Sequence, residues 1–498
     1  MSQSGLLSFY VFAVLLAASS TYRYILHPIL ISPLSKIPNA HWTAPFCPIW
    51  ILWIRLTYQE LAVLPELHKR LGPLIRLGPT DLSVSEYENG IQKVLGSSEF
   101  EKHPQYSVYD HYGKQNSFSS LANSAHSKLR RRMTGIFSKS SLHQSGHLTA
   151  LIDLTLQDEL LPLLQRYAEQ MATVDLLNLT YGLSLDFVTG FVFGRSSGSR
   201  LLSTERELLP EWLHHFENRY AKESVWLEEA PWLTTVLQKC GLSPLPGQYY
   251  TSKTWLESWL LTLCDRADGA LPRLSGGEEV QPADVPVLYQ TLRQSTKLDG
   301  SYNKEEEERL EIASELIDQV YGAREVLGLV TGYALYFISN SFHAQKRLRK
   351  ELAENGISIK IAAEEATSSL TRELETLPYL SAVIQESYRL RPNSVRLPRV
   401  ATAPDGVSIA RFDTIPPGTR VNTFQWFVHR DPSIWTDVNQ WIPERWLDSL
   451  TGAFISKPTP QQIVWPFGGG SRMCIGNNLA DCCEYDLFIS ELAIGSTL

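Results

Sequence analysis

The sequence predicts a mainly α-helical fold with a small β portion, built as one globular domain behind a single N-terminal transmembrane helix. Long stretches carry apolar residues at helical spacing, only two short regions show the alternation and turn chemistry of strands, and the chain starts with an uncharged apolar run. Of the 498 residues, 43% are hydrophobic and 20% charged, the composition of a chain that buries a large core. The net charge of -8 argues against nucleic acid as a partner, because a phosphate backbone calls for a clustered positive face. The six cysteines, at 47, 240, 264, 474, 482 and 483, form neither a disulfide ladder nor paired Cys-x-x-Cys knuckles. Reduced thiols and a cytosolic body follow.

Taken in order, Gly5 to Tyr22 just reaches the roughly 20 apolar residues that a membrane span needs. The leader "MSQS" lacks the basic residues of a secretory signal, so 1–23 reads as a retained anchor, and Arg23 and Lys36 behind it keep the body on the cytosolic side. Segment 24–45, with Pro28, Pro33 and Pro38, reads as a stiff hinge through which no helix continues. Phe46 to Leu56 is strongly apolar but too short to span, which fits a buried helix or a dip into the membrane interface. Gly72 to Glu86 predicts a β-hairpin, Leu151 to Phe193 helix, and 268–285 a loop. Asn303 to Asn340 predicts a long helix whose acidic first turns suit the helix dipole and whose apolar second half implies burial on all sides. Leu397 to Asn422 supplies the second β region, with Pro-Pro-Gly turn chemistry.

The chemistry concentrates in "FGGGSRMCIG", Phe467 to Gly476. A thiolate becomes a strong ligand when hydrogen-bond donors and positive charge are aimed at its sulfur, and glycines let backbone approach it. The helix expected after Gly476 adds its N-terminal dipole. From the residues alone, Cys474 is a metal or cofactor ligand or a buried structural cysteine. A phosphate-cradling loop lacks its Gly-Lys-Ser/Thr ending here.

The pattern Phe467-x-x-Gly470-x-Arg472-x-Cys474-x-Gly476 resembles the haem-binding signature of the cytochrome P-450 superfamily, with every fixed position met. "QESYR" (Glu386-x-x-Arg389), "WIPERW" (Arg445) and "AHSKLRRRMTGIFS" resemble the same family in the same order, and "PLSKIP", "FVTGFVFG" and "HRDPSIW" resemble its fungal members that tailor secondary metabolites. The resemblance implies a single haem domain over 46–498, with Cys474 as axial ligand to the iron of haem b and Phe467 beside it. It places His126, Arg130, Arg399 and Arg472 at the haem propionates, and Glu386, Arg389 and Arg445 in a buried charge triad. Without it, Glu386 and Arg389 would be an ordinary helical pair, worth about 0.2–0.5 kcal/mol, and "HSKLRRR" a solvated face. The implied activity is a haem-thiolate monooxygenase that activates dioxygen to hydroxylate, epoxidise or desaturate a lipophilic small molecule in secondary-metabolite biosynthesis. Electrons would come from NADPH through a separate flavoprotein reductase, with the anchor in the endoplasmic reticulum membrane. Substrate contacts are expected from Ser107 to Phe118, Trp212 to Trp259, and around Tyr321.

Two departures stand out. Where most members carry a run like Ala-Gly-x-Asp/Glu-Thr-Thr, this chain has Tyr321-Gly322-Ala323-Arg324-Glu325-Val326, which puts arginine at the acid and glutamate at the alcohol. Arg324 and Glu325 are therefore the candidate oxygen-activation residues: Glu325 relays protons itself, or the reaction needs less help splitting dioxygen, or the two form a local charge pair. The chain also ends 24 residues after Cys474. The expected reading is a recorded sequence that stops short of the family's terminal β-hairpin, against a natural short form. Together these departures keep open a haem-binding but catalytically impaired or non-enzymatic scaffold member.

Overall fold

Helices account for most of the chain in a computed structural model that describes residues 3–220, 222–277, 279–299, 305–357, 370–392, 396–455, 464–483 and 485. The last residues, where a terminal hairpin is in question, lie outside the described residues. The described chain falls into two units.

The first unit takes 1–104, 394–436 and 468–473 and holds both sheets. Its strands are β1 (Leu74–Gly78), β2 (Asp81–Val84), β3 (Phe100–Lys102), β4 (Leu397–Ala401), β5 (Val407–Ile409), β6 (Phe412–Ile415) and β7 (Arg420–Thr423). Five of them run in the order β1-β2-β7-β4-β3, and β5 pairs with β6 alone. The expected hairpin is β1 with β2, antiparallel, while β2 runs parallel to β7. Asp81 on β2 holds this arrangement together. It accepts from Arg55 at 2.8 Å, from Asn422 at 2.6 Å and from Arg420. Burial alone would push its carboxyl up, but the Arg420 and Arg55 guanidinium groups hold it well below the usual carboxylate range.

One reading of this unit needs correction. The N-terminal helix Gln3–Thr21 does not stop ahead of Pro28 but continues as a wide π-helical stretch, Tyr22–Ile31. Proline lacks the N–H of an α-helical turn and its ring crowds the carbonyl four residues back; the wider turn relieves both. The helix ends at Ser32, whose hydroxyl accepts from the Leu34 N–H at 3.3 Å. The stretch Phe9–Ile31 is long and apolar enough to cross a membrane, and none of it is buried. In the short helix Ile49–Leu56, as the buried-helix reading expects, Ile51, Ile54 and Arg55 are buried, while Ile49 and Trp53 face outward.

His68, at the end of helix Glu60–Leu71, is buried with Nδ1 on the Gly72 carbonyl at 3.0 Å and Nε2 on Ser83 Oγ at 2.8 Å. Burial lowers its pKa to about 4. Because an unfolded histidine titrates near 6.5, the unfolded chain binds more protons between those values. The stability that neutral His68 contributes is therefore present above about pH 6.5 and lost as pH falls toward 4, a loss of about 3 kcal/mol at most. The unfolding midpoint of the wild type is expected to drop between pH 7 and pH 4.5, and His68→Asn to flatten that slope; parallel slopes would show that His68 is not a source of it.

The second unit, 105–393, 437–467 and 474–498, contains the helical body. Leu176–Phe193 is as apolar as a membrane span but is a core helix, 83% buried, capped by Asp175 accepting from the Asn178 N–H. The long helix crosses it closely. A Cβ on Gly328 would meet Ser184 Oγ and Tyr181 Cδ1 at 2.8 Å, so only glycine fits that crossing. From Glu305 the long helix runs α-helically to Ala323, opens into a π turn over Arg324–Gly328, and resumes over Leu329–Ser339. Leu151 to Phe193 is helical with a break ahead of Asp175. The expected loop 268–285 is shorter than its composition suggests, because helix Gly247–Ser275 continues through Pro272. Leu260, Leu263, Cys264 and Ala267 are all buried in the core, and that packing outweighs the weak propensity of the residues behind them.

Candidate functional site

Cys474 stands where the chain turns out of the short 3₁₀ turn Gly470–Arg472 toward a helix that begins at 477. The turn requires glycine. Gly470 has φ +67, and a Cβ there would lie 2.3 Å from the Leu95 carbonyl oxygen. The Cys474 N–H donates to the Phe467 carbonyl at 2.9 Å, which closes the loop on itself. The Cys474 side of the chain is accessible, yet protein crowded around the sulfur makes desolvation the largest influence on the thiol and raises its pKa. The N–H groups of Gly476 and Asn477 and the Arg130 guanidinium pull the other way. These are donors and positive charge aimed at sulfur, the environment that stabilises a thiolate ligand.

Arg130 lies on helix Asn123–Arg131 with His126 one turn earlier, buried. Of the neighbouring basic residues, Lys128 and Arg131 are exposed as a solvated face would be, whereas Arg132 pairs with Glu311 of the long helix at 2.5 Å. Phe467 packs edge-on to Tyr388, with ring centroids 5.3 Å apart. His126, Arg130, Phe467 and Cys474 all belong to the second unit, whereas Arg399, buried on β4, and Arg472 belong to the first.

The middle of the long helix presents one open face. Gly322 is exposed, with nothing within 4 Å of where a Cβ would stand. Asp318, four residues earlier on that face, is near enough for its charge to act on the Cys474 thiol. Glu325 follows at the next helical step and is partly exposed. Arg324 points elsewhere: it is buried, its guanidinium lies 3.8 Å from the Tyr181 ring centre and 4.5 Å from that of Phe216, and NH1 donates to Glu325 Oε1. The structure therefore brings Arg324 and Glu325 together, with only the glutamate near the open face. Among the described residues, the second carboxylate oxygen of Glu325 has no protein partner and is left to water.

Glu386 and Arg389, on helix Pro378–Leu390, are both fully buried. Arg389 grips Glu386 through Nε and NH2, both at 2.8 Å, and Arg445 Nε donates to the same carboxylate at 3.1 Å. The remaining Arg389 donors reach the carbonyls of Val438 and Gln440.

The three stretches expected to contact substrate meet in the second unit. Tyr109 and Phe118 pack edge to face at 5.0 Å, Trp212 and Trp259 at 5.7 Å, and Trp212 reaches Tyr321 at 6.2 Å. Sequence reasoning missed Asp318, although its spacing of four and seven residues from Gly322 and Glu325 was a readable signal. It also missed Arg219, for which no local signal exists. Cys482 and Cys483 are both core residues. Cys482 lies within 4.8 Å of His143 and Glu375 ligand atoms, but Glu375 is already engaged by Lys139 at 2.6 Å and His143 at 3.0 Å.

The profile of the family described as Cytochrome P450 matches residues 279–492, which include the long helix, the Glu386 cluster and the Cys474 loop. Similar proteins include cytochrome P450 monooxygenase penB of Penicillium thymicola, 26% identical over 82% of this chain and 85% of the relative. Cytochrome P450 monooxygenase hepC of Aspergillus oryzae is 26% identical over 92% and 86%. Cytochrome P450 monooxygenase FGM1 of Gibberella zeae is 24% identical over 95% and 87%.

Residues 279–492 of this chain thus carry a match to the cytochrome P450 family. The similar proteins are monooxygenases by name, and the group of the matched family is haem. The residues present fit that group: the accessible Cys474 sulfur, with backbone N–H donors and a guanidinium directed at it, suits iron ligation better than it suits a core cysteine. The long helix offers Gly322 and two acids where the resemblance leads one to expect an alcohol.

Proposed function

We propose that this protein is a cytochrome P450, a haem-thiolate monooxygenase that hydroxylates, epoxidises or desaturates a lipophilic small molecule in secondary-metabolite biosynthesis. Electrons come from NADPH through a separate flavoprotein reductase, and the apolar N-terminal helix tethers the enzyme to a membrane, that of the endoplasmic reticulum, with the catalytic domain cytosolic. The observation that carries this reading is the set of donors around Cys474. When bound, haem supplies reductive activation of dioxygen, and Cys474 is the residue that would hold it; His126, Arg130, Arg399 and Arg472 would hold its propionates, for which guanidinium forks are well suited.

The chain's own residues then bind, orient and deliver protons. The aromatic side chains near Tyr321 bind the apolar part of the substrate. Arg324, held by the Tyr181 and Phe216 rings, positions Glu325 by gripping one carboxylate oxygen. The other oxygen hands protons to water on the Gly322 face, replacing the missing alcohol. Reduction of the purified full-length protein under carbon monoxide is the direct test. A thiolate-type absorbance supports the reading, and its absence overturns it; a haem protein that forms the signature yet never turns over with reductase would instead be the inert member.

For the relay, Glu325→Ala is expected to lower product formation by about a hundredfold, the lower end of general-acid effects. NADPH consumption should fall less, so that reducing equivalents are lost without product. Unchanged turnover and unchanged coupling would leave Arg324 and Glu325 as a structural pair.

A further inference from the structure

Arg219 ends helix Leu208–Arg219 and is buried, yet no carboxylate pairs with it among the described residues. Its NH1 donates to the Tyr249 hydroxyl at 2.9 Å and its NH2 to the Val108 carbonyl at 2.8 Å. Its Nε has no partner. Among the described residues, Trp212 Nε1 and His111 Nε2 close by are also buried without a partner, and the Tyr321 hydroxyl, which has no other partner, is near enough to Arg219 for the two side chains to interact. These side chains surround a single ring: Tyr321 lies 5.4 Å from His111 and 6.2 Å from Trp212.

Buried polar groups in folded proteins are normally satisfied, and a buried cation normally has an anion. Water would satisfy the donors but not the charge. Glu257, whose charge reaches Tyr321, is already taken by His111 at 3.2 Å, the Tyr112 N–H at 3.3 Å and Lys253 at 3.8 Å. On the other side the charges of Glu325 and Asp318 reach Tyr220, whose ring lies 5.8 Å from the Arg219 guanidinium. Tyr220 is thus within reach of Arg219 and of the acids of the long helix. Half-buried Tyr109, 6.5 Å from Tyr220, and Phe118, 38% exposed, extend the aromatic wall outward.

We propose that Arg219 anchors a carboxylate on the substrate, one oxygen taking the Arg219 Nε–H and the other the Tyr321 O–H, with the apolar body laid along Tyr220 and Tyr109. The enzyme's substrate class is then a lipophilic acid rather than a neutral lipid or hydrocarbon. This rests on the monooxygenase reading, and it assigns the charge of the substrate, which that reading leaves open.

The test uses the full-length, haem-loaded protein at pH 8, where carboxylic acids are ionised. Dodecanoic acid and abietic acid are each compared with their methyl esters, and affinities are taken from the ligand-dependent rise in the unfolding midpoint. At least one acid is expected to bind about tenfold to a hundredfold more tightly than its ester, the range of a charge-assisted hydrogen bond. Arg219→Gln should bring that ratio to about one, and Arg219→Lys should retain part of it. No preference for either acid in the wild type, or an undiminished preference in Arg219→Gln, overturns the proposal; should Arg219→Gln fail to fold, an undiminished preference in Arg219→Lys together with Tyr321→Phe does so. Because the midpoint does not depend on the carbon monoxide signature, loss of that signature would sink the monooxygenase reading while the acid-to-ester ratio still reports on the anchor.

Discussion

Replacing Cys474 with alanine is expected to abolish the thiolate absorbance of the reduced, carbon monoxide-treated protein while leaving the unfolding midpoint of the haem-free chain nearly unchanged. Cys474 is accessible and contributes little to any core, so removing the sulfur opens no cavity. The donors that face it, the N–H groups of Gly476 and Asn477, belong to the backbone and stay in place. Loss of the ligand should therefore be complete and its structural cost small. Serine at 474 keeps the hydrogen bonds but offers a harder, less polarisable oxygen, and is expected to bind haem weakly without the thiolate signature. A retained signature in Cys474→Ala would move the ligand to another cysteine, and the buried Cys482 and Cys483 would need a rearranged core to serve.

The second large effect is one of stability. Glu386→Ala is expected to cost about 3–5 kcal/mol, the penalty for stranding a buried charge partner. The carboxylate accepts from Arg389 twice, from Arg445, from the Ile442 N–H and from Trp446 Nε1. With the carboxylate gone, the Arg389 cation loses its pair with Glu386 at a place with no accessible surface. Glu386→Gln keeps the shape and part of the bonding but not the charge, so it should fall between wild type and alanine. Denaturant titration of the three proteins gives the order; an alanine variant as stable as wild type would mean that the network contributes nothing net.

The parts of this molecule that could be read in advance are those whose partners are close in sequence or whose residue pattern is rigidly spaced. Gly470, Cys474 and Gly476 announce a loop because the turn itself needs glycine, and the left-handed φ at Gly470 shows why. Glu386 and Arg389 are three apart on a helix, so their pairing is written locally, but the Ile442 and Trp446 donors that complete the cluster come from a distant stretch. Proline and glycine misled at 22–31 and 268–275, where a wider turn and a packed apolar stripe kept the chain helical. Arg219 was illegible for the plainest reason: its neighbours Val108, Tyr249 and Tyr321 come from three separated parts of the chain, and nothing beside it distinguishes it from a solvated arginine at a helix end.

The wide turn at Arg324–Gly328 also sets an angular offset within the long helix. A π turn holds one residue more than the α-helical turn it replaces, and each residue of an α-helix advances the side chains by about 100°. Upstream and downstream halves of the long helix therefore keep different angular registers along one rod. Arg324 turns under the Tyr181 and Phe216 rings while its neighbour Glu325 stays near the Gly322 side, and the glycine crossing at Gly328 lies at the far end of the same turn. A one-residue change in that register would alter which side chain meets the open face.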